Sequence, residues 1–237
     1  MCTVIISSRD TGNIPLLVGA NRDERVSRPS SHFELREKNR ALYPLDVGGG
    51  TWIGVNNSGL FVAITNIDND KHIPGRESRG MLVKMALRAQ SLREVSEWAD
   101  LLVPKRYNGF RLIVADMLSC VIWMGDGLSD VVTRTVLPPG LHVISGFGVD
   151  TWDVPRCSTI KKALSGDFGL QEMQQILSHH ATGKVDDDVC VHDPDETHVT
   201  VSSCIIQATS DWGFKVDAVK TAPCLSTPWD YWELPRG

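Results

Sequence analysis

No run of apolar residues in this chain approaches the roughly 20 that a membrane-spanning helix needs, so the sequence predicts no transmembrane segment. The leading residues also lack the basic start and apolar core of a secretory signal, and the expectation is a cytoplasmic chain. Positive charge is not in excess. Lys and Arg number 24 against 29 Asp and Glu, a net charge of −5, and no basic stretch is interleaved with aromatics, which argues against nucleic-acid binding. Cys2, Cys120, Cys157, Cys190, Cys204 and Cys224 are scattered without C-x-x-C spacing, so neither a zinc cage nor a disulfide framework is signalled. Gly48-Gly49-Gly50 is followed by no Gly-Lys-Ser/Thr and no helix start, and reads as a flexible turn instead of a phosphate loop. His179 and His180 are adjacent on one predicted helix and point in different directions. With His192 and His198 they read as surface histidines, and no metal ligand is assigned.

What the chain does have is a core-forming composition and a cysteine at position 2. With 237 residues, 42% hydrophobic and 22% charged, it is long enough to bury a large core as a single domain over 1–237. Trimming of Met1 would leave Cys2 with both a thiol and a free α-amine. An α-amine titrates near 7.7–8.0 and a thiol near 8.5, so the amine can serve as base for its own thiol without a separate histidine. The alternative is a small hydrophobe opening a buried strand.

Cys2 leads into the apolar run Thr3 to Ser8. A second run, Ile14 to Ala20, ends in Asn21-Arg22-Asp23-Glu24. Two β-rich runs around a Gly/Asn-containing break predict an antiparallel hairpin turning near Thr11 and Gly12. That hairpin returns Asn21, Arg22 and Asp23 to the end of the strand that carries Cys2. Asp23 is then expected beside the nucleophile, orienting the α-amine, with Asn21 or Arg22 holding a substrate carbonyl or carboxylate. The competing reading is a solvated charge run.

Thr51 to Asn56 and Leu60 to Asn66 flank Asn57-Ser58-Gly59 and predict a second hairpin. Apolar spacing predicts helices over Arg79–Arg88 and from Ser91, as cap, toward Leu102, with Glu94 in the capping-box position. Strands follow at 111–116, 120–124, 130–135 and 141–145, helices at 156–164 and 170–179, and strands at 197–208 and 213–218. This order fits layered α+β packing and not alternating βαβ units. The aromatic tail over 221–237 is expected to dock on its own domain, a partner-facing strip or a pocket cover being the alternatives.

Cys2-Thr3, Asn21-Arg22-Asp23-Glu24, Gly49-Gly50-Thr51-Trp52 with Gly54 and Asn56, Thr65-Asn66 and Ser78-Arg79-Gly80 together resemble the NRDE family. That family is similar in its N-terminal pattern to the cysteine N-terminal-nucleophile hydrolases. The resemblance implies an αββα sandwich of two antiparallel sheets, with Cys2 as nucleophile and Asp23, Asn21 and Arg22 around it. Trp52, Asn66 and Arg79 become candidate substrate contacts, although Asn66 also suits a turn cap and Arg79 an exposed position. It implies an amidohydrolase cleaving a C–N bond of a small acyl amide, with no cofactor. Three departures run against catalysis: Ala20 where acylases among those hydrolases carry arginine, Gly146 where a side chain would serve an oxyanion hole, and Val201 where an arginine is expected. Loss of one oxyanion donor costs about 10²–10³ in turnover. The alternative implied by the same resemblance is a non-catalytic protein that binds haem or an acyl lipid as cargo.

Overall fold

The computed structural model describes residues 2–11, 14–38, 40–67, 72–184, 187–193 and 198–237. Along the chain run β1 (Thr3–Thr11), β2 (Ile14–Glu24), β3 (Glu34–Arg36), β4 (Ala41–Tyr43), β5 (Ile53–Asn56), β6 (Phe61–Asn66), α1 (Arg79–Arg88), α2 (Leu92–Ala99), β7 (Phe110–Ala115), β8 (Cys120–Gly125), β9 (Thr133–Leu137), β10 (Gly140–Ile144), α3 (Pro155–Ala163), α4 (Leu170–Leu177), β11 (Val199–Ala208), β12 (Phe214–Val219) and β13 (Asp230–Leu234). The alternation of strand blocks with helix pairs is the one expected, and the fold is α+β with two antiparallel sheets. None of the described helices is long and apolar enough to cross a membrane. The chain divides into two compact units, one of Met1–Pro29, Pro139–Asp211 and Lys215–Glu233, the other of Ser30–Pro138, Trp212–Phe214 and Leu234–Gly237.

In the first unit the sheet runs β10-β1-β2-β11-β12-β13. β1 is antiparallel to both β10 and β2, and β11 is antiparallel to β2. Strand alternation sends Ile5, Leu17, Val143 and Ile205 to one face, where they meet Ile160 of α3 and Met173 and Leu177 of α4 in a buried cluster. Gly19 lies directly beneath α4, where any Cβ would overlap Met173 Sδ. Of the expected turn residues, Gly12 lies outside the described residues and Thr11 ends β1 opposite Ile14; the pairing that leads up to the turn is the predicted hairpin. The aromatic tail supplies β13, the strand beside β12, and Trp229 packs on the helix-facing cluster. It docks on its own fold, as a strand the sequence pattern did not announce.

In the second unit β3 to β9 lie side by side in chain order, so each strand pairs with its sequence neighbour. Leu82, Val83, Ala86 and Leu87 of α1 are buried. Asn56 ties the second hairpin to that helix. Its Oδ1 accepts from Ser58 N (3.1 Å) and Leu60 N (2.9 Å), while Nδ2 donates to Leu87 O (3.1 Å) and Ala89 O (2.8 Å). Ser91 caps α2 by accepting from Glu94 N at 3.2 Å, and Glu94 in return accepts from Gln90 N at 2.7 Å. β3 and β4 were not anticipated, each being only three residues long.

The glycines of the two motifs in this unit meet. A Cβ on Gly80 would stand 2.9 Å from both Thr51 N and Thr51 O and 3.1 Å from Gly50 Cα. All three are main-chain atoms and cannot rotate away. Gly80→Ala is therefore expected to lower stability by about 1–3 kcal/mol through overpacking, read as a lower urea midpoint with an unchanged slope. Gly19→Ala meets side-chain atoms instead, those of Met173 and Leu177 Cδ1, which can shift where main chain cannot, and should cost less.

Candidate functional site

The β1–β2 ladder ends at Thr3 opposite Asn21. Cross-strand partners share a face and successive residues alternate, so Thr3, Asn21 and Asp23 point together toward α3 and α4. Val4, Ala20 and Arg22 point the other way. Cys2, one residue before Thr3, falls on the side of Arg22. Cys204 pairs with Ala20 and so shares that side; burial and the nearby Cys2 push its thiol up.

Cys2 is a half-buried free thiol. Burial raises its pKa above the usual thiol value, Asp23 and Glu24 add to the rise, and the Arg22 guanidinium opposes it. Such a thiol is protonated at neutral pH and needs a base to react. Arg22 is 4% exposed; its Nη1 donates to Arg28 O at 2.8 Å and its Nη2 lies 3.9 Å from Glu24 Oε2.

Asp23 was expected beside the sulfur; its charge bears on the Cys2 thiol, and its carboxylate oxygens are held from the helix face. Its Oδ1 accepts from Thr200 Oγ1 at 2.7 Å and its Oδ2 from Arg156 Nη1 at 3.1 Å. The same Arg156 Nη1 donates to Thr3 Oγ1 at 2.9 Å, so Asp23 reaches the start of β1 from the helix face. The Arg156 and Asp23 side chains are 1% and 2% exposed. Burial pushes the Asp23 carboxyl up despite the opposing pull of Arg156 and Thr200. The Thr200 hydroxyl also accepts from Val191 N at 2.8 Å, carrying the network to the segment before β11.

Asn21, expected to hold a substrate carbonyl, has its amide nitrogen engaged on the helix face. Its Nδ2 donates to Leu177 O at 2.9 Å and Val189 O at 2.8 Å, which ties the end of α4 and the 189 segment to the sheet. Of the four residues expected around the thiol, the hairpin puts Cys2 and Arg22 on one face and Asn21 and Asp23 on the other.

Trp52, Asn66 and Arg79 belong to the second unit. Trp52 is buried, and its Nε1 has no hydrogen-bond partner among the described residues. Asn66 ends β6 opposite Phe110, and Arg79 Nη1 donates to Gly109 O at 2.9 Å. Arg156 and Thr200 carry no site role in the sequence reading, and Thr3 enters it only as part of the Cys2-Thr3 motif. The one available signal was Arg156 at the start of a predicted helix, four residues before Ile160 and so on its apolar face. Among the described residues, His180, His192 and Cys224 have donor atoms within 4.8 Å of one another, and both histidines are exposed, the surface positions expected of them.

The family model described as Transport and Golgi organisation 2 matches residues 1–215. A mouse relative, Transport and Golgi organization 2 homolog of Mus musculus, is 35% identical over 151 residues, 57% of this chain and 52% of its own length. The Homo sapiens homolog is 32% identical over 151 residues, with the same shares covered. The chain thus spans about half the length of the curated relatives it matches. Two solved structures are similar in fold. One is a Caenorhabditis elegans N-acylethanolamine-hydrolyzing acid amidase ortholog, with TM-score 0.55, 15% identity and coverage of 99% of this chain and 100% of that one. The other is a mutant conjugated bile acid hydrolase from Clostridium perfringens, with TM-score 0.51, 11% identity and coverage of 99% and 92%. At these identities the likeness is one of fold.

Proposed function

This chain belongs to the Transport and Golgi organisation 2 family, the family its NRDE motifs resemble, and we propose that it is a cysteine N-terminal-nucleophile amidohydrolase acting on a small acyl amide. The observation that carries this reading is the half-buried Cys2 thiol at the head of β1, an inner strand, on the same face as the buried Arg22. The solved proteins of similar fold are named for hydrolysing N-acylethanolamines and conjugated bile acids, which supports an acyl amide as substrate class. In the proposed reaction the α-amine freed by loss of Met1 takes the Cys2 proton, and the sulfur attacks the acyl carbonyl. The proton passes to the leaving amine as the C–N bond breaks, and water hydrolyses the thioester to the free acid. A thiol raised by burial makes that amine base indispensable. A main-chain nitrogen lies near the plane of the sheet, so Asp23 need not share the sulfur's face to address it.

The experiment is intact mass spectrometry of the purified chain before and after incubation with N-acyl amides of graded chain length. The expected spectrum lacks Met1 and gains one acyl group at Cys2. Retention of Met1 in the purified protein, or release of acid from the amides with no dependence on Cys2, would end the proposal. A second reading, a non-catalytic carrier of haem or an acyl lipid, is favoured by the engagement of Asn21 and Asp23 on the helix face. A carrier would bind haem or fatty-acyl ligands equally well after Cys2→Ala.

A further inference from the structure

We infer that Cys190, His192 and Cys224, with His180 as fourth donor, form a tetrahedral site for a zinc-class divalent cation that staples together the three segments carrying them. His192 Nε2 lies 3.1 Å from Cys224 Sγ and 3.5 Å from Cys190 Sγ, and the two sulfurs are 3.6 Å apart. Zinc bonds of about 2.3 Å to sulfur and 2.0 Å to nitrogen place tetrahedral donors roughly 3.3–3.8 Å from one another. Three of the four donors therefore stand close to the spacing a single ion imposes. The fourth is near: His180 has a donor atom within 4.8 Å of those of His192 and Cys224, and its ring centroid is 4.8 Å from that of His192.

The backbone holds these donors in place from both sides. Cys190 N donates to His179 O at 2.9 Å, tying the 190 segment to the end of α4, and Thr200 N donates to Val191 O at 3.0 Å. His192 bridges to Val199 at the start of β11. Cys224 arrives from the stretch between β12 and β13, 34 residues from Cys190 and 32 from His192. Cys190 and His192 sit two residues apart with Sγ and Nε2 3.5 Å from each other, a C-x-H pairing that a search for C-x-x-C passes over. On binding, two Zn–S and two Zn–N bonds replace the bonds from the ion to its water ligands, the waters and two thiol protons leave to solvent, and no group is oxidised or reduced. Two thiolates neutralise the ion. With all four positions taken by protein the site is closed, which is the structural type of zinc centre and not the catalytic one. Its effect is on folding, because the ion crosslinks parts of the chain that are distant in sequence.

The test uses the full chain, reduced, freed of metal and titrated with Zn²⁺ against a chromophoric chelator, with Co²⁺ as spectroscopic probe. Expected are one Zn²⁺ per chain, a Co²⁺ spectrum with tetrahedral visible bands and near-ultraviolet thiolate charge transfer, and a melting temperature that rises on loading. Cys224→Ser and His180→Asn should each weaken binding by at least the roughly 10–100-fold that loss of a supporting residue costs. His180 is exposed, so its variant folds irrespective of the fate of buried Cys190. The inference is overturned if the reduced chain takes up no Zn²⁺, if Co²⁺ shows octahedral bands without sulfur charge transfer, or if both variants bind as wild type. A Cys190–Cys224 disulfide whose reduction yields no metal uptake also overturns it.

Discussion

Cys2→Ala is expected to reduce acyl-amide hydrolysis to background, a loss on the order of 10⁴–10⁶-fold, the range seen when a covalent nucleophile or its base is disabled. The magnitude follows from the environment of the sulfur. Burial holds the thiol above its usual value and Arg22 only partly offsets this, so the reactive ion exists only while the adjacent amine accepts the proton. Alanine keeps the amine and the strand but removes the bond-forming atom, and no other cysteine takes its place at the head of β1. A half-buried cysteine opening a strand contributes little packing, so the urea midpoint should move by less than about 1 kcal/mol equivalent. An added residue before Cys2, for instance from a tag that is not removed, should be as damaging to turnover as the alanine variant, because it caps the amine. Measuring turnover and stability on the three proteins together separates loss of chemistry from loss of fold. Activity retained in Cys2→Ala would sink the hydrolase reading.

Arg156→Ala should cost about 3–5 kcal/mol of folding free energy, the usual consequence of removing one partner from a buried ion pair. Arg156 carries a charge-assisted bond to Asp23 and a second bond to Thr3 from one nitrogen, both at side chains that water does not reach. Without it the Asp23 carboxylate is a buried charge with its main counter-ion gone. The carboxyl, already raised by burial in the intact protein, rises further. A carboxyl whose folded pKa exceeds its unfolded value of about 3.9 binds more protons in the folded state, so its favourable contribution is present below that value. It is lost as pH rises through the folded pKa. The deficit of Arg156→Ala against wild type should therefore be small near pH 4 and grow toward neutrality, as urea midpoints across that range will read. Combining Asp23→Asn with Arg156→Ala should recover much of the loss, a non-additivity that two independent sites would not show. A deficit independent of pH, or strictly additive losses, would mean that Arg156 stabilises the fold through packing alone.

The fold was legible wherever periodicity was long enough to read. Arg79–Arg88 is the predicted helix and the helix Arg79–Arg88 found, because its apolar residues recur at helical spacing. The first hairpin follows from two long apolar runs around a short break. β3 and β4 escaped because three residues carry no readable period. Register was the harder matter. Pairing of Thr3 with Asn21 commits Asp23 to the face of Thr3 and Cys2 to the face of Arg22. A turn one residue different would reverse that, and the sequence leaves the turn open. The Asp23 network escaped for another reason: Arg156 and Thr200 stand 133 and 177 residues from Asp23, and proximity across such intervals has no local signature. Cys224 was hidden in the same way, 34 residues from Cys190 and 32 from His192.

The aromatic tail gives the sheet its hem. With β13 in place, β12 is an interior strand, and the outermost border is a five-residue ribbon carrying Asp230 and Glu233, the kind of short, charged selvedge that discourages strand-to-strand recruitment between molecules. A chain clipped after Pro228 would leave β12 fraying into solvent with a row of unsatisfied amides and carbonyls. Such a fragment should self-associate on standing, visible as rising light scatter, long before its interior loosens.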